Sequence, residues 1–149
     1  MISSERVPRV VIAEDDDDMR SVLFELVSSL CVDVDLATSG GELARCLTDD
    51  RPVDLVITDV RMPWMTGLQV AVAARNSGLD VPVIVVTAFP DDELRANVDR
   101  LGSAFLLAKP FRPDELLSLV RGHLFPSRAL GQDPYAAEGS STVTLSTTP

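Results

Sequence analysis

The chain has very little of several things. Among 149 residues there is one histidine, one lysine, one tryptophan, one tyrosine and two cysteines. Cys31 and Cys46 have neither a C-x-x-C spacing nor a nearby histidine, so a reduced, packed role is expected of them rather than metal or redox work. His123, within a terminal helical pattern, reads as a surface or packing residue. No apolar run approaches the roughly 18 residues that a membrane span needs, and the start lacks a basic segment leading into an apolar core. Cationic surface is scarce as well. A formal net charge of −10 and a pI near 4.4 argue against direct binding to nucleic acid or to an anionic membrane, both of which call for clustered Lys and Arg. The expected compartment is the cytoplasm.

What remains is ample for one core. Hydrophobic residues make up 46% of the chain, enough for a single domain with a tail. Val7 to Ala13 reads as a first strand, followed by an unbroken acidic block from Glu14 to Asp18. Apolar residues at Val22, Leu23, Leu26, Val27 and Leu30 then recur at helical spacing, with Asp18 available as the N-cap. Val32 to Leu36 reads as an edge strand, its Asp33 and Asp35 alternating outward, and Ser39-Gly40-Gly41 opens a short helix to about Leu47.

The apolar run Leu55 to Thr58 delivers Asp59 at a strand's end, and a helix follows from Gly67 to about Asn76. Pro82 to Thr87 is β-branched nearly throughout, which suits a central strand covered on both faces. A helix over Asp91 to Leu101 is stopped by Gly102. Phe105 to Ala108 is a fifth strand ending at Lys109-Pro110, and Pro113 sits just inside a fifth helix that ends near Leu124. The expected domain is residues 7–124, preceded by a segment over 1–6. Over residues 125–149 periodicity is lost and eight residues are Ser or Thr, the composition of a disordered tail.

Strand starts near 9, 32, 55, 82 and 105 recur about every 23 to 27 residues with one helix in each interval, the rhythm of right-handed βαβ crossovers in a parallel sheet. Parallel strands bring their C-terminal ends to one edge, where α/β proteins place their chemistry. Four of the five strands end there in reactive groups: Glu14 and Asp15, Asp59, Thr87 and Lys109. In a flavodoxin-like (βα)5 sheet of order 2-1-3-4-5 these groups stand side by side.

The sequence from Glu14-Asp15 through Asp59 with Pro63 and Gly67, Thr87-Ala88 and Lys109-Pro110-Phe111 resembles the receiver domain of bacterial two-component response regulators over roughly residues 7 to 124. The resemblance implies phosphorylation of Asp59 by a histidine kinase or a histidine phosphotransfer protein. It also implies magnesium held by Glu14, Asp15, Asp59 and the backbone carbonyl of Arg61. Thr87, Ala88 and Lys109 would contact the phosphoryl group, with Thr87 as the switch hydroxyl. The residue types agree with this. Clustered carboxylates repel by about 4 kcal/mol per close pair at an effective dielectric near 20, so an all-oxygen site favours a hard divalent cation. Two or three charge-assisted hydrogen bonds at roughly 1.5–3 kcal/mol each match the ~5.5 kcal/mol that inverts a two-state loop.

Two positions depart from the family pattern. The place of the switch aromatic, three residues before the lysine, holds Leu106, with Phe105 preceding it, and Trp64 stands where many relatives have glycine. The resemblance further implies a cis peptide before Pro110. Phe89 and Pro90, next to Thr87, are placed to gate water's access to an acyl phosphate.

The expected function is a single-domain, chemotaxis-regulator-like switch that is not itself an enzyme. Its output would be a surface of the fourth helix, fifth strand and fifth helix around Leu94, Leu106 and Leu119, offered to an unknown protein partner or a homodimer. Two other readings compete. One is a haloacid-dehalogenase-like phosphohydrolase using Asp15, whose Asp-x-Asp spacing Asp15-Asp16-Asp17 meets while Asp59 and Pro63 go unexplained. The other is a receiver-fold adaptor that is never phosphorylated.

Overall fold

The computed structural model describes residues 6–61 and 66–126. Trp64, Pro63 and the Ser/Thr-rich segment from Ser127 onward, on which expectations were set above, lie outside the described residues. Five strands, β1 (Arg9–Ala13), β2 (Asp33–Ala37), β3 (Leu55–Asp59), β4 (Val83–Thr87) and β5 (Ala104–Ala108), alternate with five helices. The helices are α1 (Asp17–Ser28), α2 (Gly40–Thr48), α3 (Gly67–Asn76), α4 (Asp92–Leu101) and α5 (Pro113–Leu124). All strand pairs are parallel and the order is β2-β1-β3-β4-β5, the flavodoxin-like (βα)5 arrangement.

Burial follows from position in the sheet. The apolar residues of β1, β3 and β4 are sealed on both faces, so these strands read as continuous apolar runs, whereas β2 at one edge has two exposed residues. The pleat divides the core in two. Val11, Val56, Val83 and Val85 pack with Leu43, Val70, Leu94 and Val98 on the face covered by α2, α3 and α4. Val10, Ile12, Ile57, Ile84 and Val86 pack with Leu23, Val27, Leu116 and Val120 beneath α1 and α5.

Helix starts are set by local polar chemistry. Asp16, Ser39, Thr66 and Asp91 each accept a hydrogen bond from the backbone N–H three residues on, and Thr66 with Gln69 closes a reciprocal capping box. The N-cap of α1 is therefore Asp16, not Asp18. The helix begins two residues before the first apolar position because Asp17 and Asp18 are favoured by the helix N-terminal dipole. Gly102 follows α4 with φ of 75°, a conformation in which glycine has no steric penalty.

Three further expectations need correction. Cys31 is exposed, in the turn after α1, whereas Cys46 packs against the core as expected. Asp35 does not simply face solvent. It accepts the Arg9 Nε–H at 2.7 Å and an Arg51 N–H at 2.9 Å, because Arg9 opens β1 only 3% exposed and needs carboxylates around it. Asp49 and the Cys46 and Arg51 carbonyls complete that arginine's partners. Finally, Leu94 is a core residue, and Leu106 and Leu119 are half-buried against the two core layers, so these three leucines do not form an outward face. The exposed large apolar group on β5 is Phe105, whose ring meets His123 edge-on at 4.6 Å.

Candidate functional site

The sheet's C-terminal edge gathers the strand-end residues as the topology requires. β1 and β3 are neighbours in register, Ala13 beside Thr58, so the residues following them, Glu14 and Asp15, come next to Asp59. Ligand atoms of Glu14, Asp15 and Asp59 lie within 4.8 Å of one another. From β5, across β4, the Lys109 ammonium reaches Glu14 Oε1 at 3.3 Å and Asp59 Oδ2 at 3.4 Å. Thr87, at the end of the intervening β4, is buried, and its carbonyl accepts the Lys109 backbone N–H at 2.7 Å. The peptide bond between Lys109 and Pro110 is cis.

The three acids differ in environment. Asp15 is exposed and Asp59 half-buried, while Glu14 is 1% exposed. Burial pushes the Glu14 carboxyl above its ordinary value. The Asp16 amide opposes that shift, the Asp59 charge adds to it, and Lys109 offsets only part of it. A second cation suits such a site. Three carboxylate oxygens from three residues, only two of which, Glu14 and Asp59, share the Lys109 ammonium, are the donor set of a small hard divalent ion that keeps much of its water.

Asp59 is held at several points. Its Oδ1 accepts the Val60 and Arg61 amides at 2.6 and 3.4 Å, leaving Oδ2 toward Lys109. Beneath it, the buried Thr58 hydroxyl donates to the Asp59 carbonyl oxygen at 2.9 Å. Helix α3 enters against this spot through Gly67. A side chain there would overlap Thr58 Oγ1 and stand 2.8 Å from the Asp59 carbonyl oxygen. The Thr87 hydroxyl accepts the Phe89 amide at 3.1 Å, and Ala88 follows on the exposed loop.

Other parts of the acidic block turn away. Asp16 caps α1, and Asp17, its side chain 87% exposed, pairs with Arg20, so the Asp15 and Asp17 carboxylates do not converge as an Asp-x-Asp hydrolase requires. The side chain of Leu106 packs on the α3 and α4 side of the sheet and Phe105 on the α5 side, so β5 directs no ring toward α4.

The model of the response regulator receiver domain matches residues 10–121. The chain belongs to the receiver domain family of two-component response regulators. It is 35% identical over 116 residues to the response regulator MprA of Mycolicibacterium vanbaalenii, covering 78% of this chain and 50% of that one. MprA of Mycobacterium ulcerans matches at 34% over the same coverage. The chain thus spans about half the length of the curated relatives it matches. Among solved structures, the receiver domain of Francisella response regulator 1452 superposes with a TM-score of 0.73 at 26% identity, covering 80% of this chain and 98% of that one. The chemotaxis protein CheY4 of Vibrio cholerae gives 0.71 at 25%, covering 78% and 98%. Receiver domains are regulatory. They typically bind magnesium at an acidic pocket, and Glu14, Asp15 and Asp59 form such a pocket here.

Proposed function

We propose that Asp59 accepts a phosphoryl group from a histidine kinase or histidine phosphotransfer protein, and that the acyl phosphate so formed switches a protein-interaction surface. The observation that carries this reading is the meeting of three carboxylates with the single lysine of the chain at the end of β3. In the transfer, the P–N bond of a phosphohistidine breaks as an Asp59 carboxylate oxygen forms a new bond to phosphorus. The electron pair of the P–N bond goes to the ring nitrogen of the donor's imidazole, which takes its proton from solvent.

Magnesium, held by Glu14, Asp15, Asp59 and the Arg61 carbonyl, would supply neutralisation of the phosphoryl charge. The chain's own groups do the rest. The Val60 and Arg61 amides fix the Asp59 carboxylate, the Lys109 ammonium is placed to pair with phosphoryl oxygens, and Ala88 offers a backbone amide on the adjoining loop. Thr87 is the switch hydroxyl. It already accepts from Phe89, so its O–H proton is available to donate when a phosphoryl oxygen arrives.

Output would pass through the α4, β5 and α5 face, where Phe105 is the exposed ring, to a partner protein or a second copy. The cytoplasm is the compartment that suits a kinase-fed switch, and among the described residues no helix is long and apolar enough to cross a membrane. The test is intact-mass analysis after incubation with magnesium and acetyl phosphate. One phosphoryl adduct on the wild type and none on Asp59→Asn is expected. No adduct, or an adduct that survives the substitution, would overturn the reading.

A further inference from the structure

Phe89 leaves 62% of its surface exposed, yet one face of its ring is covered: the Arg61 guanidinium carbon sits 4.6 Å from the ring centroid. Arg61 lies on the loop after β3 and Phe89 on the loop after β4, so this contact spans the two loops that flank Asp59. Both residues are tied by backbone amides to the groups that matter, Arg61 to Asp59 Oδ1 at 3.4 Å and Phe89 to Thr87 Oγ1 at 3.1 Å. Asp59 Oδ1 is thus taken by amides, and Lys109 answers Oδ2 and Glu14. The guanidinium is left on the ring.

A phosphoryl group on Asp59 changes that balance. It replaces the single carboxylate charge with a group of three terminal oxygens bearing up to two negative charges, beside a planar donor fork rooted two residues away. Bidentate guanidinium–phosphate hydrogen bonds are stronger than a cation–π contact at an exposed site. We propose that Arg61 is a phosphoryl ligand held in reserve on Phe89, and that phosphorylation of Asp59 transfers its guanidinium from the ring to the phosphoryl oxygens, uncovering Phe89. This rests on the reading of Asp59 as phosphoacceptor. It gives the chain a responsive aromatic at the site edge, where β5 carries Leu106 in the place of a ring.

The exchange is a competition of the ring and the phosphoryl group for one cation, so removing the cation and removing the ring should have opposite effects on binding at Asp59. The probe is beryllium fluoride with magnesium, which forms a stable tetrahedral mimic of a phosphoryl group on a carboxylate, titrated into the full chain and followed by fluorine NMR. Wild type is expected to bind and Asp59→Asn not to. Arg61→Met should weaken binding by about tenfold through loss of charge-assisted hydrogen bonds, and Phe89→Leu should tighten it by about threefold by removing the ring that competes. Assigned Phe89 ring protons should shift on binding in the wild type and much less in Arg61→Met. Both side chains are exposed, so neither substitution threatens the fold. If the wild type fails to bind, the phosphoacceptor reading falls and the exchange with it. If binding is lost only in Asp59→Asn while the other two variants behave as wild type, or both bind more weakly, as a simple water-excluding cap would require, the exchange alone is overturned.

Discussion

Replacing Gly67 by alanine tests how tightly the end of β3 is built. The added Cβ would overlap Thr58 Oγ1 and lie 2.8 Å from both Thr58 Cβ and the Asp59 carbonyl oxygen, distances that side chains do not tolerate. Helix propensity favours alanine over glycine by at most about 1 kcal/mol, and less at the first position of a helix. Overpacking against a buried strand costs about 1–3 kcal/mol, and here the obstacle includes backbone, which cannot rotate aside. Sterics should win. The net loss of about 1–2 kcal/mol corresponds to a midpoint lowered by roughly 3–8 °C in calorimetry. Because the strain falls on the peptide that carries Asp59, adduct formation from acetyl phosphate should slow by about tenfold. Adding Thr58→Ala removes the worst overlap and should recover part of the midpoint. A Gly67→Ala protein that melts at or above the wild-type temperature would refute the argument.

Lys109→Met leaves Glu14 and Asp59 facing each other without their ammonium, so stability without metal should fall by about 1–3 kcal/mol at pH 7, and by less as the pH falls and Glu14, whose carboxyl burial raises above its ordinary value, takes up a proton. Magnesium should restore much of the loss, as thermal melts with and without the ion would show. Asp54 is pushed up by partial burial, but hydrogen bonds from Arg6 and the Arg9 amide together hold it below its ordinary range. A carboxyl depressed on folding adds stability above its unfolded pKa, and that stability disappears as pH falls through the folded value. Asp54→Asn should therefore cost stability at pH 7 and nothing once the pH is below that value, as urea midpoints across pH would reveal.

Most of the architecture was legible because each strand carried its own evidence. β4 was marked by its β-branched run, α3 by its boundaries at Gly67 and Asn76, and β2 as an edge by its acids. Periodicity carries the alternation of strands and helices but not the strand order, which is that of the flavodoxin-like class of doubly wound sheets. What was missed depends on pairing across the fold. Arg9 looked like one polar residue in an apolar strand, and only the neighbouring β2 and the end of α2 bring it Asp35 and Asp49; a buried-strand arginine with acids in the adjoining loops was the available signal. Counting back from the apolar positions points to Asp18 as the α1 cap, whereas the cap belongs to whichever oxygen meets a free amide, and that is Asp16. At the site, strand ends located Glu14, Asp15, Asp59 and Lys109. The contact of Arg61 with Phe89 and the fit of Gly67 against Thr58 required side-chain geometry.

If Asp59 is the phosphoacceptor, phosphorus attaches there and to no other residue. An acyl phosphate is reduced by borohydride to an alcohol, so the most direct measurement is borohydride treatment of the acetyl-phosphate-treated protein followed by peptide mass mapping. Homoserine at position 59 and unmodified aspartate at position 15 are expected. Homoserine at position 15, or at neither, would contradict it.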